Sequence, residues 1–336
     1  MTKLATPSFA LGRLGPRLRG GAIQRILAFG ALLLLVVFFS LWSPYFLNFD
    51  NFNNIIIAVA VAGVLGLGET FVITTGGIDL SVGTVMTLSS VMTAYSITKW
   101  GLPFQVGVLV GIGTGGLMGM INGILIARLR LPPFIATLGT LNVARGLSLV
   151  IAGLAPIYLP TDDLHGMVMG SAIGVVVPAF PIPNIAIIML AAAALAGFIL
   201  SKTVLGRYTF ALGSNEEAAR LSGVNVVRWK IGVYALCGLF AGLAGVMIGA
   251  RVNSAQPSLG FGYELDAISA VVIGGTSLSG GEGTILGTII GAFIVKTLAD
   301  GLQLVSVPQE WQIVATGAVV ILAVYLDIVR RRGRTA

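Results

Sequence analysis

The property that most restricts this chain is a series of apolar segments long enough to cross a bilayer. They run at about 26–43, 54–75, 82–98, 104–127, 134–152, 183–201, 231–250, 265–279, 283–305 and 311–329, the eighth of them short. As a helix, Asn54 to Thr75 reaches about 33 Å, enough for a hydrocarbon core about 30 Å thick. Inside a bilayer every backbone polar group must find its partner within the protein, so only helices and closed barrels span it. Unbroken apolar runs of this length select helices. The expected fold is an all-α integral membrane protein of about ten transmembrane helices, some of them broken or re-entrant.

The chain is 56% hydrophobic and 10% charged, against about 25% charged residues in an ordinary soluble domain. Its net charge of +7 would raise nucleic-acid binding in a soluble protein; here the placement of the basic residues accounts for it. Of the 20 Lys and Arg, all but Lys99, Arg145, Arg251 and Lys296 fall before Ile26, at Arg128 and Arg130, between Lys202 and Lys230, or from Arg330 to Arg334. If the runs cross in alternation, these groups share one side, which the positive-inside rule makes the cytoplasm. Both termini then lie in the cytoplasm, and the chain's surroundings are a lipid bilayer, not nucleic acid. Residues 1–25 read as a retained basic arm without a cleavage pattern, 26–329 as the transmembrane domain with a cytoplasmic loop at 203–229, and 330–336 as a basic tail. The single cysteine, Cys237, lies in an apolar run and allows no disulfide within the chain.

Two glycine-rich stretches resemble each other, GGIDLSVG at 76–83 and GGTSLSGG at 274–281. Gly76, Gly77, Gly274 and Gly275 are expected to break helices, and the match suggests an internal repeat of the kind that builds transporters from paired halves. Each is followed by glycines four apart, Gly111, Gly115, Gly119 and Gly123 in one case and Gly283, Gly287 and Gly291 in the other. That spacing lines one helix face and lets another backbone come close. The second stretch contains LSGGE, Leu278 to Glu282, one residue from the LSGGQ signature of ABC ATPases. A nucleotide site also needs a GxxxxGK[ST] loop to hold the phosphates. None of the lysines, Lys3, Lys99, Lys202, Lys230 and Lys296, follows a glycine. The chain therefore has no nucleotide loop of its own, and LSGGE reads as a helix break.

The basic loop contains a short polar helix from Asn215 to Leu221, begun by a Ser or Asn cap and stopped by Gly223. Glu216 and Glu217 sit in its first turn, where the helix dipole favours carboxylates. Glu217, Ala218, Ala219 and Gly223, flanking Arg220, spell E-A-A-x-x-x-G, which resembles the coupling-helix motif of ABC importer permeases. Together with GGIDLSVG, PPFIATLGT at 132–140, GSNEEAARLSGVNV and the 254–281 stretch, it resembles the ribose-type sugar permeases of bacterial ABC importers, from about residue 45 to 328. The resemblance implies a type II importer permease fold without catalysis of its own and translocation of a monosaccharide, ribose above others. The implied partners are a second permease copy in a homodimer, a cytoplasmic ABC ATPase that holds ATP and Mg, and a periplasmic sugar-binding protein. It assigns the ATPase contact to Asn215, Glu216, Glu217, Ala218, Ala219, Arg220 and Gly223.

Glu69, Asp79, Arg145, Asp266, Lys296 and Asp300 lie in or near the spans, where a charge at mid-bilayer costs about 2.5–3.5 kcal/mol on insertion scales. Asp79 suits an N-cap of the third helix or a place on the substrate pathway with Ser81. Arg145 and Asp300 both fall toward the outer ends of their spans and could pair. Thr137, Thr140 and Asn142 offer uncharged groups to a sugar or to neighbouring helices. His165, in the outer loop YLPTDDLHGM, has no metal-ligand spacing and reads as a solvated side chain; no metal site and no bound cofactor are expected. The repeat alone would also suit an ion-coupled sugar carrier using Asp79 or Glu69, and a membrane enzyme is disfavoured because no nucleophile, base and metal constellation occurs.

Overall fold

The computed structural model describes the backbone of residues 17–335 and the side chains of 26–322, 324 and 325. Its elements in chain order are α1 (Arg17–Trp42), α2 (Phe49–Thr74), α3 (Val82–Thr98), α4 (Phe104–Ala127), α5 (Pro133–Ala152), β1 (Ile157–Tyr158), α6 (Asp163–Met169), α7 (Ala172–Val176), α8 (Asn184–Lys202), α9 (Val204–Ser214), α10 (Glu216–Leu221), α11 (Val226–Val252), β2 (Ser254–Ala255), α12 (Tyr263–Ile273), α13 (Ile285–Leu304) and α14 (Gln309–Thr335). Helix α1 begins nine residues before the expected span, inside the stretch read as a basic arm. The rest of that arm lies outside the described residues, as do the side chains of the basic tail at 330–336.

Among the described residues six helices, α2, α4, α5, α8, α11 and α13, are long and apolar enough to cross a membrane. The eighth expected span is not one continuous helix. Helix α12 has 11 residues and reaches about 16 Å, half of a hydrocarbon core. Its chain turns back at Gly274, and α13 then packs on it. The two glycine-rich stretches also differ in geometry. The left-handed glycine after α2 is Gly76, φ 78°, while the first after α12 is Gly275, φ 96°, one position later when the two stretches are aligned, with Gly280 and Gly281 also left-handed. Helix α3 starts directly at Val82, whereas α13 waits until Ile285.

Helix α2 is the centre of the fold, with 94% of its apolar window buried among α8, α11, α12 and α13. A second layer pairs α4 with α11 and α3. Here the glycine spacing has its explanation. A Cβ at Gly123 would lie 2.6 Å from Ile231 Cα, one at Gly119 2.9 Å from Gly238 Cα, and one at Gly115 2.6 Å from Gly242 N. The two backbones touch along three turns, which gives dispersion contact where lipid supplies no hydrophobic drive. At one end of this bundle, the ribbon end, β1 pairs antiparallel with β2, Ile157 opposite Ala255. His165 is half-buried there and donates through Nδ1 to the Ala250 carbonyl at 2.8 Å. It is a strut between α6 and α11, not the solvated loop residue expected. The 27-residue α11 separates the ribbon end from the loop end, where α9 and α10 lie.

The glycine contact makes a prediction. Gly119→Ala forces its methyl into the Tyr234 carbonyl and should destabilise the protein by about 1–3 kcal/mol. Gly113→Ala on the open side of the same helix, where nothing lies within 4 Å, should be neutral or stabilising by up to about 1 kcal/mol. Thermal unfolding in detergent reads both, and equal shifts would contradict the packing account.

Candidate functional site

At the loop end the sequence specifies α10 locally. Asn215 is extended (φ −164°) and its side chain accepts from the Ala218 N–H at 2.9 Å, supplying a partner to a free amide of the first turn. At the other end Gly223 is left-handed, φ 84°, so that the Val224 N–H donates to the Ala219 carbonyl at 3.1 Å and the Gly223 N–H to Arg220 at 3.0 Å. This is a Schellman stop. Glu217 pairs with Arg220 at 2.6 Å, and Glu216 reaches Lys230 of α11 at 2.6 Å. Only Ala219 is buried; Leu221, 80% exposed, stands out among these polar neighbours. The helix thus presents Glu216, Glu217, Ala218, Arg220 and Leu221 outward and is pinned by one small side chain beneath.

The residue two positions before this cap ties it to the membrane domain. Gly213 at the end of α9 lies against the carbonyl of Thr74, the last residue of α2, and a Cβ there would sit 2.5 Å from Gly281 N. One at Gly280 would sit 2.8 Å from Gly213 O and 2.9 Å from Gly76 N. The Gly281 N–H donates to the Thr74 carbonyl at 2.9 Å. Both helix breaks and the root of α10 therefore meet backbone to backbone at one point. LSGGE is part of this joint: Ser277 N–H donates to the Glu282 carbonyl at 3.0 Å and closes it into a turn.

Behind the joint the first break is held by buried polar groups. Glu69 of α2 is fully buried and accepts the Asp79 N–H at 3.0 Å and the Cys237 thiol at 3.7 Å. Asp79 accepts the Ser81 N–H at 2.9 Å and the Ser81 hydroxyl at 2.6 Å. Asn122 of α4 donates to Asp79 Oδ2 at 3.1 Å and to Ser81 Oγ at 2.9 Å. The cap position of α3 is Ser81, not Asp79; Asp79 instead turns the chain into that cap. The cluster supplies partners to backbone amides that the break frees inside the bundle. Asn122 was the residue the sequence reading missed. Its signal is an amide one position before Gly123 on the glycine face of α4, where an apolar helix has no use for a polar side chain unless another element brings a partner.

The other sequence candidates are scattered. Thr137 and Thr140 are buried on the α3-facing side of α5, and their hydroxyls donate to carbonyls of their own helix, Pro133 at 2.8 Å and Thr137 at 3.1 Å. Asn142 is exposed and donates to Leu138 at 3.0 Å. Arg145 and Asp300 do not pair. The Arg145 guanidinium lies 5.3 Å from the Phe261 ring centre, while Asp300 sits with Asn51. The ion pair within the spans is Lys296 with Asp266, both largely covered, under the Tyr263 ring. Among the described residues no group of three His, Cys, Asp or Glu side chains could hold a metal ion.

Comparison with known proteins bears on the whole of this architecture. The profile of the family described as branched-chain amino acid transport system, permease component, matches residues 51–324. The chain is 45% identical over 311 residues to the ribose import permease protein of Bacillus subtilis (strain 168), covering 91% of this chain and 94% of that one. To the Escherichia coli (strain K12) ribose import permease it is 42% identical over 301 residues, 88% and 91% of the two chains. To the L-arabinose ABC transporter permease protein of Azospirillum brasilense it is 36% identical over 323 residues, 95% and 93%. No solved structure matches the chain.

The buried cluster predicts that Asn122→Leu, which strips donors from the Asp79 carboxylate, lowers stability by about 1.5–3 kcal/mol. Asn142→Leu, at an exposed position, should stay within about 0.5 kcal/mol of the parent. The comparison is a pair of melting curves in one detergent, and an Asn122 variant as stable as the parent would rule out a role in holding the break.

Proposed function

The chain belongs to the permease-component family whose profile spans residues 51–324, and from that membership we propose that it is the membrane subunit of an ABC importer that moves ribose or a related monosaccharide. On this reading it crosses a bacterial inner membrane about ten times with both termini in the cytoplasm. It works as a homodimer, receives its sugar from a periplasmic binding protein and is driven by a cytoplasmic ATPase that holds ATP and Mg. The chain contributes no catalysis. The observation that carries the reading is the position of α10: an exposed, doubly capped helix whose root at Gly213 touches both helix breaks.

Asn215, Glu216, Glu217, Ala218, Arg220 and Gly223 form the surface on which the ATPase docks, and Ala219 anchors it from beneath. Their ion pairs, exposed as they are, add little stability, so their role is recognition, with Leu221 as the apolar contact. When ATP closes the ATPase pair, α10 is displaced, and α9 carries that displacement to the Thr74–Gly281 joint. Asp79 and Ser81 act on the pathway through the shape of the break, since both are buried within one subunit. An ion-coupled carrier would leave the exposed α10 surface without a task.

Proteoliposomes holding the chain, its ATPase and its binding protein should take up labelled ribose only with internal ATP; uptake by the chain alone along an ion gradient, indifferent to ATP, would overturn the proposal. Glu217→Lys should leave stability within about 0.5 kcal/mol while like charge at the docking surface cuts uptake by about tenfold or more. Normal uptake and normal substrate-stimulated hydrolysis in that variant would remove α10 from the coupling path.

A further inference from the structure

Arg145 is the one charged side chain in the middle stretch of α5. At 1.5 Å per residue it lies about 10 Å from the ribbon end of that helix and about 18 Å from the other. Yet it is exposed on the surface of the single chain, and among the described residues no carboxylate lies within ion-pair distance of it. Glu264, near Phe261 in sequence, turns both oxygens to the Gly262 N–H at 3.1 Å. A guanidinium there cannot face hydrocarbon at acceptable cost. On the same face Asn142 is exposed and a Cβ at Gly139 or Gly146 would meet nothing within 4 Å, among exposed Ile135, Leu138, Val143 and Val150. The opposite face, with Ala136, Thr137, Thr140 and Ala144, is packed, chiefly against α3.

Across from Arg145 the chain between β2 and α12 enters the bundle. Phe261, 64% exposed, lies under the guanidinium, and Ser258, Gly260, Thr84 and Thr87 complete a narrow recess. The recess admits no water molecule in this conformation, so it is a closed constriction and not a storage site. We propose that the exposed face of α5 borders the water-filled substrate path, and that Arg145 and Phe261 form the constriction at which a monosaccharide is recognised in transit. The inference rests on the importer reading above and adds to it the residues that touch the substrate. A sugar ring has an apolar C–H face and a rim of hydroxyls; Phe261 offers the flat surface for the first and the guanidinium fork offers donors for the second.

The natural chain's only cysteine, Cys237, is buried, so an introduced thiol can be read without removing it. In membranes holding the complete transporter, Asn142→Cys and Phe261→Cys should react with a charged, membrane-impermeant methanethiosulfonate at least about tenfold faster than Leu190→Cys on the apolar exposed face of α8, because a thiol in lipid does not ionise. Equal rates would overturn the proposal, whether the cause were lipid or a dry contact with a second copy. Arg145→Gln and Phe261→Leu should each lower uptake of labelled ribose by about tenfold at the parental amount of assembled transporter, and Arg145→Lys should recover uptake only in part, since it lacks the fork. Parental uptake in both variants would also overturn it. A parent that moves no monosaccharide would defeat the importer reading instead, and the labelling rates would still report the path.

Discussion

The hydrogen bond from Gly281 N–H to the Thr74 carbonyl is the interaction on which the rest of the fold depends. A bundle in a bilayer can afford an irregular segment only where the freed backbone groups are satisfied by protein, and this chain has two such segments. It satisfies them largely with each other and with side chains sent for the purpose. Thr74 ends α2 by accepting from the second break; Glu69 accepts from the first, and Asp79 accepts at the start of α3. Glycine is required at Gly213 and Gly280 because a Cβ there would run into the neighbouring backbone, and at Gly76 because its backbone is left-handed.

The joint has mechanical consequences. Backbone contacts deform less readily than interdigitated side chains, and close-packed interiors pass displacement on instead of absorbing it. A push on α10 is delivered through Gly213 to the ends of α2 and α12 together. Helix α2 is buried on every side, whereas α12 is short, ends in the break and bears the 256–262 approach to the Arg145 recess. The element free to respond is therefore the short one, and its far end is at the constriction.

Local features of this architecture were legible in the sequence. Six of the spans, the Asn215 cap, the Gly223 stop and the glycine face of α4 each depend on residues within a few turns of one another. The failures depend on distance. The apolar run at 265–279 reads as one continuous helix because hydropathy is blind to the helix end at Gly274. Asp79 reads as a cap because the partner that recruits it, Asn122, is 43 residues away. Similar depth leaves a pair of Arg145 with Asp300 open, but depth does not fix azimuth: one side chain faces α12's approach and the other faces Asn51. The repeat alignment matched identical letters and missed that the left-handed glycines are offset by one, which only backbone angles reveal.

The two basic residues within the spans show how far a physical account of charge can go. Lys296 faces the same desolvation cost as Arg145, and the fold meets it with Asp266 and the Tyr263 ring, leaving both charges largely covered. A buried pair of that kind holds α12 to α13 and is costly to break from either side. Arg145 has an aromatic ring but no counter-ion among the described residues, and a cation–π contact at an exposed site contributes only about 0.5–1 kcal/mol, too little to offset removal from water. The chain thus has the means to neutralise a cation at this depth and uses them a short way along the same surface. Leaving Arg145 without a carboxylate is consistent with one environment, water, and a fold that keeps water at that depth keeps it for something that must pass.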